Sequence, residues 1–152
     1  MMRQVLVAAA AALSLTGVAR AAPDGAALFN RCAACHLPSG DGLAGSFPSL
    51  HGQIARFAAV AAGRQYLVSV VTHGVAGPLS VAGVDYSNFM PGQGLADDEA
   101  AAVLNYLVGS IAAAKPPARP FTTQEVATIR ARHPDATAQD SRALRPDSLA
   151  GR

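Results

Sequence analysis

The stretch Cys32-Ala33-Ala34-Cys35-His36 decides how this chain is to be read. Cysteines three apart share one face of a helix, and a histidine follows the second directly. In that order the residues read as a c-type haem attachment site, in which each sulfur would add to a vinyl group and the imidazole would reach the iron. Two other chemistries use a Cys-x-x-Cys pair. A thioredoxin-like redox pair needs a βαβ setting, whereas the motif ends a short helix and is followed by loop. A structural zinc site needs two further ligands at metal spacing, and His51 and His73 are available but unpaired.

Around that motif the composition excludes whole classes. The chain has 152 residues, 51% of them hydrophobic and 14% charged, with two cysteines and a formal charge of +2. Two cysteines are too few for a zinc ribbon or a disulfide scaffold. A charge of +2 is no footprint for nucleic acid, so no nucleic-acid partner is expected. Residues 1–21 read as a secretory signal: Arg3 gives a basic start, residues 5–18 form an apolar run, and Ala19-Arg20-Ala21 offers a cleavage site. The run is shorter than the ~20 residues that span a bilayer. Cleavage after Ala21 would leave a mature chain with no transmembrane segment, in the periplasm. Without the leader the charges balance, but unevenly. Residues 22–114 carry three basic and six acidic side chains, a net −3, and residues 115–152 carry seven and four, a net +3. Lys115-Pro116-Pro117 marks the boundary between a domain (22–114) and a basic C-terminal extension (115–152).

An electron carrier built on this motif needs a second axial ligand. Met1 and Met2 leave with the signal, so Met90 is the only methionine of the mature chain. It sits in a Pro/Gly-bounded loop, Phe89-Met90-Pro91-Gly92, within residues 74–95, a connection long enough to need something to organise it. A sulfur–iron bond would do so, and Met/His ligation raises a haem potential. The competing ligands are His51, on a Pro-Ser-Leu-His-Gly turn, and His73, at a helix end where the dipole favours a charged imidazole.

The local signals predict a mostly helical chain. A helix over 24–32 is capped by Asp24; residues 37–52 are Gly-, Pro- and Ser-rich loop; a second helix runs over 64–73 and stops at Gly74. Residues 78–87 read as a hairpin turning at Ala82-Gly83. The strongest helix is 97–111, with Asp97, Asp98 and Glu99 in its first turn. Thr122 and Glu125 form a capping box for a shorter helix through Arg132. Beyond His133-Pro134 the polar tail reads as loosely held.

Taken together, Cys32-Ala-Ala-Cys35-His36, Phe47-Pro48-Ser49-Leu50-His51-Gly52, Tyr86…Met90-Pro91 and Leu95-Ala-Asp-Asp-Glu through Tyr106-Leu107 make the chain resemble class I cytochrome c over roughly residues 24–111. The resemblance implies an all-α cytochrome c fold around one covalently bound haem c, with a small β-hairpin and a C-terminal extension added here. It implies Cys32 and Cys35 as attachment points, His36 and Met90 as axial ligands, and the Pro48 carbonyl as acceptor of the other ring N–H of His36. It also implies a crossing of the first and last helices, for which Gly25, Leu28 or Phe29, and Tyr106 are candidates. The family's aromatic stands four places before the first cysteine and Phe29 stands three before, so Leu28 competes for that role.

The implied function is a periplasmic monohaem electron carrier, not an enzyme. Its donor would be a periplasmic redox enzyme and its acceptor a respiratory protein. Residues 73–91 are similar to small cytochromes that serve alcohol, aldehyde or sulfite dehydrogenases. Two alternatives follow: a haem subunit fixed within a dehydrogenase complex, or a haem enzyme or gas sensor with an open sixth position, against which Met90 argues. The basic extension would dock on an acidic surface, a partner's or the chain's own −3 domain, unless it is simply solvated.

Overall fold

The computed structural model describes residues 21–150; the leader assigned to 1–21 lies, except for Ala21, outside them. Asp24 starts helix α1 (Gly25–His36) by accepting the Ala26 and Ala27 N–H groups at 2.9 and 3.3 Å. The helix has no β-branched residue, and Ala33-Ala34 are strong helix formers. It therefore runs past Cys32, the predicted end, and carries the whole motif. It stops at Leu37, with φ of 64° and a proline next.

Helix α2 (Gln53–Ala58) was not anticipated. It is short, but its Ile54, Phe57 and Ala58 at i, i+3 and i+4 are buried. Helix α3 (Ala61–His73) follows, and Phe57 meets Tyr66 edge-on at 5.1 Å. Gly74, at φ +85°, ends α3 where the sequence placed the stop. The next residues form two small antiparallel pairs. Strand β1 (Gly74–Val75) pairs with β4 (Met90–Pro91), and β2 (Leu79–Val81) pairs with β3 (Val84–Tyr86). The β2–β3 hairpin turns at Ala82-Gly83, both at positive φ, as a twist-matched two-residue turn requires. The β1–β4 pair was not anticipated.

Helix α4 (Asp97–Tyr106) continues as a π-helical segment, Leu107–Ile111, in which Ala112 N–H reaches back to the Leu107 carbonyl at 2.8 Å. At its start the Glu99 carboxylate accepts the Ala96 N–H at 2.9 Å. Helix α4 crosses α1 at Gly25, where a Cβ would stand 2.3 Å from the Ala102 carbonyl oxygen. Four residues on, the Phe29 ring meets Tyr106 with centroids 5.4 Å apart. Phe29 is 3% exposed, and Leu28 is only partly buried. The crossing aromatic is thus Phe29, because the helix turns it, not Leu28, onto Tyr106.

The extension folds back onto this core as α5 (Thr123–Arg132), α6 (Ala138–Ala143) and α7 (Asp147–Ala150). The expectation of a loosely held tail is corrected. Ala138 and Ser141 are buried, and the Ser141 hydroxyl donates to the Ser69 carbonyl of α3 at 3.3 Å. Asn105 of α4 clasps the linker by bonding both the N–H and the C=O of Phe121, at 2.7 and 2.9 Å. Thr122 does cap α5, but Glu125 does not close the box. Its carboxylate instead takes two bonds from Arg64 of α3, at 2.7 and 2.6 Å. The remaining Arg64 donors reach the carbonyls of Ala58, Arg119 and Pro120, so all five N–H groups are used. The guanidinium also lies 3.7 Å over the Phe121 ring. Arg130 of α5 pairs with Asp97 and donates to the Leu95 carbonyl at 2.8 Å.

Gly25→Ala should lower stability by about 1–3 kcal/mol, the range for overpacking a closed contact, read by thermal unfolding. The Arg64 guanidinium beside Glu125 holds its carboxyl below the usual carboxylate range. A carboxyl depressed in the folded state contributes stability above its unfolded pKa and loses it as pH falls through the folded one. Glu125→Gln should therefore cost about 3 kcal/mol near neutrality, the low end for a broken buried pair. The deficit should shrink on acidification, as followed by denaturant unfolding at several pH values.

Candidate haem site

Two adjoining hollows open between α1, α3, the β1–β4 pair and the 46–54 segment. Cys32, His36, Pro48, Val75, Leu79 and Met90 line both, so the hollows are two halves of one cleft. The inner half is walled mainly by apolar side chains, including Ile54, Phe57, Leu67 and Leu104. The outer half adds Cys35, Phe47, Tyr86 and Phe89, the last exposed. The five residues singled out from the sequence, Cys32, Cys35, His36, Pro48 and Met90, are thus brought to a single cleft.

His36, the last residue of α1, is buried. Its Nδ1–H donates to the Pro48 carbonyl at 2.8 Å, twelve residues on. A carbonyl can only accept, so the proton is on Nδ1 and Nε2 keeps its lone pair. Burial pushes the imidazole below its ordinary pKa, against a smaller opposing effect of the Pro48 bond. A neutral ring with a fixed tautomer is the form that ligates metal, and the carbonyl behind it strengthens the donor.

Met90 is held by backbone. It pairs with Val75 across β1–β4, in place of the open loop expected from sequence. The two chains approach so closely that a Cβ on Gly74 would be 2.2 Å from the Met90 carbonyl oxygen, and one on Gly92 would be 2.5 Å from the Thr72 carbonyl oxygen. The alternative ligands lie elsewhere. His51 is exposed, with Nε2 3.1 Å from an Asp41 carboxylate oxygen. His73 sits against the Thr72 hydroxyl at 3.0 Å, and neither ring lines the cleft. The expected dipole-favoured charge on His73 is opposed: burial first, then the charge of Arg130, hold it below the ordinary value.

The cysteines are not joined to each other. Burial pushes the Cys32 thiol up, the reverse of the lowered value that a redox-active thiolate requires. Among the described residues no group of three or more His, Cys, Asp or Glu converges as a metal site. The lining suits a flat apolar ring: it includes the two cysteines of one helix, a buried histidine and one methionine, and among the described residues no carboxylate.

Comparison with known proteins agrees with that fit. The family model for cytochrome c matches residues 22–110. The chain is 40% identical over 123 residues to a cytochrome c-552 of Thermus thermophilus, covering 79% of this chain and 83% of that one. A second cytochrome c-552 from Thermus thermophilus is 39% identical over 112 residues, covering 72% and 86%. The chain belongs to the cytochrome c family.

Its cofactor is one covalently attached haem c, and it is an electron carrier. The cytochrome also has cleft residues that sequence reasoning missed. Gln53, Ile54 and Phe57 come from the unanticipated α2, whose only signal was a single i, i+3, i+4 apolar triplet. Arg145 comes from the extension, and no sequence signal pointed it at the cleft.

Gly74→Ala meets both a left-handed φ and the Met90 carbonyl. It should part β1 from β4, seen as faster amide hydrogen exchange at Val75 and Met90 than in the parent.

Proposed function

We propose that this cytochrome is a periplasmic monohaem carrier with His36 and Met90 as axial ligands and Cys32 and Cys35 as thioether anchors. The observation that carries the reading is the shared cleft, which Cys32, His36 and Met90 line together, with the His36 Nδ1–H held by Pro48 so that Nε2 keeps its lone pair. Haem c supplies a one-electron ferrous–ferric couple when bound.

The chain's own residues do the rest. Cys32 and Cys35 retain the group through transient encounters. Pro48 holds the His36 ring by its Nδ1–H. The β1–β4 pair holds Met90, so that neither ligand has to rearrange with oxidation state. Ile54, Phe57, Leu67 and Leu104 exclude water from the inner half, which favours the less charged reduced state. The outer half, with the exposed Phe89 at 65% accessibility beside Cys35, is the edge for electron entry and exit.

The donor in this reading is a periplasmic redox enzyme such as a dehydrogenase, and the acceptor a respiratory protein. Export rests on the sequence of residues 1–21. Among the described residues no helix is long and apolar enough to cross a membrane.

Ferric parent protein should show the long-wavelength sulfur–iron absorption band, and Met90→Ala should lose it while retaining attached haem. A parent spectrum without that band would sink Met90 ligation and favour an open sixth position instead.

A further inference from the structure

Arg145 lies well beyond residues 22–110, which the cytochrome c family model covers, yet its side chain lines the inner half of the cleft. Its Nη2 donates to Gln53 Oε1 of α2 at 2.9 Å and to the Ser80 carbonyl of β2 at 2.8 Å. Its Cζ stands 5.7 Å over the Phe57 ring. Two acceptors and a ring thus fix the guanidinium at the wall. Among the described residues its Nε and Nη1 bond no protein acceptor. Among the described residues no other lysine or arginine lines the inner half, and no carboxylate does.

Haem brings two carboxylates of its own, on the ring edge opposite the vinyl groups. Cys35 lines only the outer half of the cleft and Arg145 only the inner. Anchoring the vinyl edge at the cysteines therefore directs the carboxylate edge away from Arg31, which stands beside Cys32 on the outer half, and toward Arg145. An ionised carboxylate against Ile54 and Phe57 would be costly without a charged partner. A guanidinium with free N–H groups is the side chain best shaped to supply one.

We infer that Arg145, delivered by the C-terminal extension, is the cationic partner of a haem carboxylate and a positioning residue that raises the reduction potential. The extension is then part of the redox site as well as of the fold. The sign follows from charge: a fixed cation near the haem favours the reduced state, which carries one positive charge fewer. The inference rests on the haem orientation of the preceding reading.

The test uses holoprotein with haem attached: the parent, Arg145→Gln, Arg145→Lys and Arg132→Gln. Arg132 is an exposed cation of α5 outside the cleft. Potentials are measured by spectroelectrochemistry, and the haem carboxylate bending mode by resonance Raman. Arg145→Gln should lower the reduced-to-oxidised ratio at fixed potential at least threefold, about 28 mV for one electron, and move the carboxylate mode. Arg145→Lys should keep most of the potential but shift the mode, since one ammonium replaces a fork. Arg132→Gln should match the parent. An unchanged potential and mode in Arg145→Gln, or equal potential losses in the Gln and Lys variants, would overturn the inference. If the Gln variant yields no holoprotein, an unmoved carboxylate mode in Arg145→Lys overturns it. The sulfur–iron band is recorded throughout: its presence with no Arg145 effect refutes this inference alone, and its absence from the parent refutes Met90 ligation alone.

Discussion

The 2.8 Å bond from His36 Nδ1 to the Pro48 carbonyl is the interaction on which the arrangement of the cleft depends. It makes a helix-terminal histidine a single tautomer, with its lone pair free. The bond requires α1 and the 37–48 loop to hold their distance, and each does so for a visible reason. Helix α1 is fixed on α4 by Gly25, which lets two backbones meet where a methyl group would not fit, and by the Phe29–Tyr106 contact. The loop turns back on itself through the Leu43–Phe47 bridge and through Leu50 N–H to the Gly40 carbonyl at 2.8 Å. Ile111, in the π-helical segment that prolongs α4, packs over Gly40, where a Cβ would come within 2.4 Å of it. One helix therefore supports both ends of the bond.

The extension is held by chemistry unlike that of the cleft. Its docking was expected to set basic tail residues against an acidic domain, and Arg130 with Asp97 follows that sense. The more buried pair runs the other way: the domain supplies the cation, Arg64, and the extension supplies the acid, Glu125. Net charge per segment does not see this, because a pair is decided by which side chains meet under low dielectric and not by segment totals. Arg64 at 5% side-chain exposure is tolerable only because each of its five donors has an acceptor.

Legibility from sequence followed the range over which each residue acts. Cys32, Cys35 and His36 could be singled out because their motif is contiguous in the chain, and Asp24, Gly74 and Ala82-Gly83 could be read because caps, stops and turns are decided by neighbours. Met90 could be singled out as the lone methionine of the mature chain, and the family resemblance added Pro48; the fold brings both into the same cleft. What escaped was non-local. The β1–β4 pair joins two dipeptides fifteen residues apart, too short for any periodicity. Helix α2 shows one turn's worth of pattern. The choice of Phe29 over Leu28 depended on the rotation of α1 against α4. Arg145 was invisible because nothing in Ser141–Arg145 distinguishes a cleft-facing arginine from Arg142 beside it.

Those same non-local contacts join the extension to the Met90 side of the cleft. Strand β1 pairs with Met90 along one edge, and just beyond it the Ala76 N–H donates to the Ala138 carbonyl at the start of α6 at 3.1 Å. Gly77 packs against the Arg142 side chain, at φ +94° and with a Cβ position 3.1 Å from Nε. One turn further along, Arg145 crosses to Gln53 and Ser80. A displacement of α6 would thus act on the strand that holds Met90 and on the wall that carries Arg145 together. Sequence segments that look like a domain and its appendage are, in packing terms, one site closed from two directions.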